Sequence, residues 1–324
     1  MSRVAIVIPN WNGAARLAKL LECLASQTHP VERVIVVDNG SSDDSIAKAR
    51  GAGAQLIELG ANTGFSRAVN QGIRAADTDW VGIVNNDVWM EPNWLGNLVA
   101  KAEAAHAWFA AGKLWSSSGG DRIDGAFDAV CRGGCAWRCG HGRADAPVWN
   151  QGREIRFAPL TAAILRAELF ERVGFLDEGF ESYLEDIDFG IRCAAAGLTG
   201  VYVPEAVAYH QGSATLGSWH PETVRRIARN QLLLIAKHYP PKWILRYGWP
   251  VLVAQALWGI TALSHGRFVA YLQGKLEGAR RFRASRGSYN AGLDAVLEQS
   301  ESELRELQRL TGFDLYWRLY FALT

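Results

Sequence analysis

Neither of the common backbone cradles for phosphate occurs in this chain. No G-x-G-x-x-G turn opens a helix, and no glycine-rich loop ends in Gly-Lys-Ser or Gly-Lys-Thr. Cysteine is scarce, with five in 324 residues, and that odd number makes no disulfide framework and fits a reducing compartment. The N-terminus has no cationic flank followed by a long apolar core. Val4 to Pro9 is too short for a leader and reads as a first strand, so a cytoplasmic chain is expected. Low-complexity tracts are missing, and a formal charge of +1 gives no reason to expect a nucleic-acid partner. The longest uncharged stretch, Tyr247 to Leu263, has 17 positions interrupted by Gly248, Pro250, Gln255 and Gly259. That is the bottom of the range of about 17 to 25 residues that spans a bilayer. With Trp243, Trp249 and Trp258, it predicts a helix lying in a membrane interface or buried between two subunits.

What is present is an asymmetry. Between Arg225 and Arg286 there are twelve Lys and Arg against the single acid Glu277, so this segment carries +11 and the remainder about −10. Length and this shift predict two units, residues 1–220 and a helical extension over 221–324 that meets a membrane surface or a second copy of the chain.

Val4 to Ile8 is a continuous β-branched run stopped by Pro9, as in a strand buried on both faces. Leu17, Leu20, Leu21 and Leu24 recur at helical spacing, and strands follow at Arg33 to Val37, Gln55 to Leu59 and Trp80 to Val84. Strands alternating with helices predict an α/β, mostly parallel, right-handed sheet flanked by helices. Trp115 to Ile155 shows little periodicity and reads as a long loop or a hairpin-bearing insert. Further on come a strand at Leu160 to Arg166, a helix from Glu185 to Ala196, and a short strand at Gly200 to Val203 before Pro204. A helix over Val224 to Tyr239, an amphipathic helix from about Leu293 to Leu310 and an aromatic tail end the chain.

The stretch Val81-Gly82-Ile83-Val84-Asn85-Asn86-Asp87 organises the rest, because an apolar strand breaks off into two amides and a carboxylate. In open α/β sheets ligands bind beyond the carboxyl ends of the strands. One carboxylate there suits a divalent cation, and a cation suits a diphosphate. Alone, the tripeptide is equally an Asx turn.

Pro9-Asn10-Trp11-Asn12, Val37-Asp38-Asn39-Gly40-Ser41, Asn62-Thr63-Gly64-Phe65, Asn85-Asn86-Asp87 and Leu184-Glu185-Asp186, with His210 after the last, resemble in order and spacing the inverting glycosyltransferases of family 2, which have the GT-A fold. The resemblance covers roughly residues 3 to 215. Arg229-Asn230 and Lys237 to Pro241 look like the tail of rhamnosyltransferase-like members.

The resemblance implies a sugar transferred from a nucleotide diphosphate, dTDP-rhamnose or a UDP-sugar, to a glycan or lipid-linked acceptor with inversion. Pro9, Asn10 and Asn12 would wall the base and ribose, and Asp38 would accept a hydrogen bond from the base, unless it is simply a helix cap. Asn62, Gly64 and Arg67 would approach the ribose and diphosphate beside Asn86. Asp87 and His210 would hold Mg2+ or Mn2+, and Asp186 would be the general base. Asn85 departs from the Asp-x-Asp form by contributing no charge. Two rival readings are a turnover-deficient nucleotide-sugar-binding or membrane-docked scaffold and a zinc module built on Cys131, Cys135, Cys139 and His141, whose spacing matches no familiar structural zinc site.

Overall fold

The computed structural model describes residues 1–117, 121–212, 219–287 and 292–324. The first half alternates strand and helix: β1 (Val4–Asn10), α1 (Ala14–Ala25), β2 (Arg33–Asp38), α2 (Ser45–Gly51), β3 (Gln55–Glu58), α3 (Phe65–Arg74), β4 (Trp80–Val84), β5 (Val88–Met90) and α4 (Trp94–Ala104). Next come β6 (Phe109–Ser116), β7 (Ile123–Gly125), β8 (Asp128–Val130), β9 (Ala136–Arg138), β10 (Arg153–Ile155), β11 (Ala162–Arg166), α5 (Glu168–Val173), α6 (Glu185–Ala195) and β12 (Gly200–His210). The chain closes with α7 (Pro221–His238), α8 (Trp243–Ser264), α9 (Phe268–Arg281), α10 (Leu293–Thr311) and α11 (Leu315–Leu323).

The main sheet runs β10-β12-β6-β11-β4-β1-β2-β3 and is mixed, with β1 to β4 parallel as predicted and β11 antiparallel between β4 and β6. β1 is central and apolar on both faces: Ala5 and Val7 join one core, Val4, Ile6 and Ile8 the other. Its register with β2 ends on Asn10 opposite Asp38, which brings two predicted site residues side by side.

Two strand predictions need correction, and the hairpin expected in the insert is present. β6 begins well before the predicted loop at Trp115; its Phe-Ala-Ala-Gly-Lys start has weak strand propensity, and burial between β11 and β12 overrides that. Gly112 is required there, since a Cβ would meet the Ala206 carbonyl oxygen at 2.0 Å. β12 does not stop at Val203. It passes Pro204 through a register shift between Val203 and Val207 and continues to His210. The stretch Trp115 to Ile155 carries the β8–β9 hairpin together with β7 and β10, residues 118–120 lying outside those described.

The C-terminal helices are not a separate layer. Val253, Ala254, Leu257, Leu304, Trp317 and Tyr320 share one buried cluster with Val7, Ile35 and Phe127. Among the described residues, no helix is long and apolar enough to cross a membrane. Pro250 sits inside α8.

Candidate functional site

Beyond the carboxyl ends of β1 and β4 opens a cavity of about 1040 Å3. A chain of amides crosses the strand ends: Asn86 Nδ2 donates to Asn10 Oδ1 (2.7 Å), and Asn10 Nδ2 donates to Asp38 Oδ1 (3.2 Å). Asp38 Oδ2 also accepts from the backbone N–H of Gly40 and Ser41, so this buried carboxylate braces the turn after β2. Pro9, Asn10, Asn62, Asn86 and Asp87 line the cavity; Asn12, Asp38, Gly64 and Arg67 do not. Gly64 has φ +89°, and a Cβ there would lie 3.1 Å from the Glu181 carbonyl oxygen, so its need is close passage of the 181–184 turn. Asn39, which also lines the cavity, ties two turns together by accepting from Thr63 and donating to the Gly64 carbonyl.

The pairing of β5 with β12 sets His210 opposite Val88, next to Asp87. Asp87 Oδ1 lies 3.4 Å from His210 Nε2, and both line the cavity. Behind the ring, Asp124 accepts from His210 Nδ1 at 2.8 Å. Burial opposes a charge on His210, but hydrogen bonds to Asp124 and Asp87 outweigh it and raise its pKa to about 9. One carboxylate oxygen and one imidazole nitrogen converge here, so a divalent cation held between them would take the place of the proton that Asp87 stabilises on His210, and Asp124 behind Nδ1 is the usual support for such a ligand. Asp124 was not found in the sequence, because it sits in the aperiodic insert with nothing local to distinguish it from a turn acid.

A second group centres on Arg138 of β9. Its Nε is 3.5 Å from Asp128 Oδ1 and its Nη1 is 3.7 Å from Asp124 Oδ2. Asp128, Arg138, Glu185 and Asp186 all line the cavity. Burial pushes Glu185 well above the carboxylate range, and the Asp186 charge adds to this. Asp186 is also raised by burial, but Arg138 and the N–H of Ile187 pull it back. Of the two neighbours, Glu185 has both burial and the Asp186 charge set against its ionisation, whereas the Arg138 charge is the leading influence that favours ionised Asp186. Asp128 is pushed up to about 7 by burial, which Arg138 offsets only in part and Asp186 reinforces. Asp188, which does not line the cavity, has another job. His238, Arg192 and Lys237 all contact it and hold it below the usual range despite its full burial.

The turn that delivers Glu185 and Asp186 is strained, with φ of +62° at Glu181, +71° at Tyr183 and +65° at Leu184. Two residues of α7 hold it. Asn230 Nδ2 donates to the carbonyls of Phe180, Ser182 and Tyr183, and Arg229, 1% exposed, donates to the Phe180 carbonyl and to Glu181.

Cys131, Cys135 and Cys139 are buried in the core, and burial pushes each thiol up, away from the thiolate that zinc requires. His141 instead bonds the Asp124 carbonyl through Nδ1. No group of three or more His, Cys, Asp or Glu among the described residues is arranged to hold a metal.

A sheet with its cavity at the strand ends, a paired carboxylate and imidazole, and an acidic helix start are features of a glycosyltransferase of the GT-A type. The model of glycosyl transferase family 2 matches residues 5–174, and that of glycosyl transferase family group 2 matches residues 146–272. The chain belongs to glycosyl transferase family 2 and is a glycosyltransferase, similar in sequence to rhamnosyltransferases. It is 27% identical over 274 residues to an N-acetylglucosaminyl-diphospho-decaprenol L-rhamnosyltransferase of Mycobacterium tuberculosis, covering 74% of this chain and 88% of that one. It is 28% identical over 221 residues to a pre-mycofactocin glycosyltransferase of the same organism, covering 67% and 44%. The fold is similar to that of a mannosyltransferase from Pyrobaculum calidifontis solved with GDP-Man and Mn2+, with TM-score 0.54 and 17% identity over 99% of this chain and 86% of the other. It is also similar to that of GalNAc-T7 solved with UDP, GalNAc and Mn2+, with TM-score 0.61 and 14% identity over 88% and 58%.

Proposed function

We propose that this protein transfers a sugar, rhamnose in the first instance, from a dTDP- or UDP-linked donor to a glycan or lipid-linked acceptor hydroxyl, with inversion, at the cytoplasmic face of a membrane. The carrying observation is that Asp87, His210 and Asp186 line one cavity together with the amides of the β1 and β4 ends. The match to a rhamnosyltransferase whose name specifies a diphospho-decaprenol acceptor supports the sugar and the acceptor class.

In this reading Asp87 and His210 would hold Mg2+ or Mn2+. The ion, when bound, neutralises charge on the leaving diphosphate. Asn10, Asn62 and Asn86 orient the nucleotide. Asp186 takes the proton of the acceptor hydroxyl as its oxygen forms a bond to the anomeric carbon from the face opposite the diphosphate, whose own C–O bond breaks. Glu185, whose ionisation burial and the Asp186 charge oppose, is not the base in this reading. Residues 1–220 form the catalytic unit, and 221–324 cover its acceptor side through Trp258, Tyr316 and Trp317, which also line the cavity.

The test is a panel of nucleotide sugars titrated calorimetrically with Mn2+ or with chelator, followed by product analysis with a polyprenyl-diphosphate-linked N-acetylglucosamine acceptor. Metal-dependent binding of one donor and an inverted product support the reading. Donor affinity identical with chelator and with Mn2+ removes the metal assignment, and a product of retained configuration removes the single displacement.

A further inference from the structure

The +11 segment predicts attraction of a membrane by charge, but the fold turns most of those cations inward. Arg225 and Arg229 pair with Glu277, Lys237 with Asp177 and Asp188, and Lys275, half-buried, bonds Gln231 and Gln255. What the helices present outward is apolar. On α8, Leu245, Trp249, Leu252, Ile260 and Leu263 are exposed, Leu245 at 84%. At about 100° per residue these five fall within an arc of about 80°, with Ile244, also exposed, outside it on the first turn.

The face extends sideways. On α11, Leu315, Leu319 and Leu323 are exposed at every fourth position, and the Trp249 indole N–H donates to the Leu323 carbonyl, so the two rows adjoin. α9 flanks α8 where Tyr271 meets Gly259, and it adds exposed Val269, Leu272 and Leu276. Contiguous apolar rows of this extent mark an interaction surface.

Charge decides the occupant. From Tyr239 to Leu276 there is no Asp or Glu, while Lys242, Arg280 and Arg283 are exposed at the ends of α8 and α9. The acids beside this face, Asp294 and Glu298 of α10, are already paired with Arg246, so a second copy docked here would bring the basic ends Lys242, Arg280 and Arg283 against themselves. An anionic lipid surface complements it. The inner sides of the same helices line the cavity, through Trp258 and Thr261 on α8 and Tyr316 and Trp317 on α11.

We propose that the open face of α8 and α11, flanked by α9, seats this protein in the interfacial region of a bilayer containing anionic lipid, so that an acceptor anchored in that bilayer reaches the cavity past the edge of these helices. The proposal rests on the lipid-linked acceptor reading. The apolar rows, rather than the +11 charge, carry the binding.

The full chain is sedimented with vesicles of phosphatidylcholine and phosphatidylglycerol, as wild type and as Leu252→Glu/Ile260→Glu, two exposed residues outside the cavity. Wild type is expected to pellet with vesicles and to remain largely bound in 0.5 M NaCl, whereas the double variant is expected to lose at least tenfold in bound fraction. Light scattering reports oligomeric state, and circular dichroism reports folding of the variant. Absence of vesicle binding, complete release by salt, or a wild-type dimer that the double variant dissolves each overturns the proposal. Transfer to a short-chain, detergent-free acceptor tests the catalytic reading separately, and both forms are expected to perform it equally.

Discussion

Asn230 of α7 donates to the Tyr183 carbonyl at 2.7 Å, and the same amide reaches the carbonyls of Phe180 and Ser182, so one side chain holds a turn with three left-handed non-glycine residues. That turn fixes the start of α6 and hence the direction of Asp186. Asn230→Ala leaves one buried and two half-buried carbonyls without that donor, at a cost of about 1 to 3 kcal/mol in stability. Turnover is expected to fall by roughly tenfold to a hundredfold while donor affinity stays close to wild type. Thermal denaturation and steady-state kinetics read the two effects, and unchanged kinetics would separate Asn230 from the site.

Asp186→Asn keeps shape and removes basicity. Turnover is expected to drop by on the order of 10² to 10⁴ with donor binding nearly intact. Glu185→Gln is expected to cost less, because burial already opposes the charge on that carboxyl. A dead Glu185 variant beside an active Asp186 variant would reverse the assignment.

Arg138 lowers the pKa of Asp186 by its charge. Removing that charge in Arg138→Gln raises the pKa of the base. The ionised, active fraction at a given pH then shrinks, and the acid limb of the kcat–pH profile moves to higher pH. A profile that keeps its midpoint while falling uniformly in height would make Arg138 a purely structural residue.

Asp87→Ala is expected to abolish the part of donor affinity that depends on Mn2+, measured as the difference between titrations with metal and with chelator. Asp124→Asn leaves both ligands in place and weakens the orientation of His210. Its expected effect is a loss of about 10- to 100-fold in metal affinity. Full metal affinity in the Asp124 variant would deny it the supporting role.

Asp188 is a stability residue. Its folded pKa lies below the ordinary value, so its contribution is fully present above the unfolded pKa of about 3.9 and is lost as pH falls from there toward the folded value. Asp188→Asn leaves His238, Arg192 and Lys237 without their buried counter-charge. It is expected to cost about 3 to 5 kcal/mol, read by denaturant unfolding at pH 7. The difference from wild type is expected to narrow below pH 4.

The sequence by itself determined the parallel half of the sheet and the residues at its carboxyl edge. Val4 to Ile8 and Trp80 to Val84 are uniformly apolar, a local pattern that only a doubly covered strand explains, and the polar residues after each must then fall at one edge. Tertiary structure decided the rest, because those effects come from residues far apart in the chain. β6 is a strand through burial between its neighbours rather than through propensity. Asp124 and Arg138 reach the site only when the insert folds back over His210 and α6. The +11 segment was legible as composition but misleading as surface, since Glu181, Glu277, Asp177 and Asp188 meet its cations only in three dimensions. The face it leaves outward is an apolar one, set by which side of α8 the core covers.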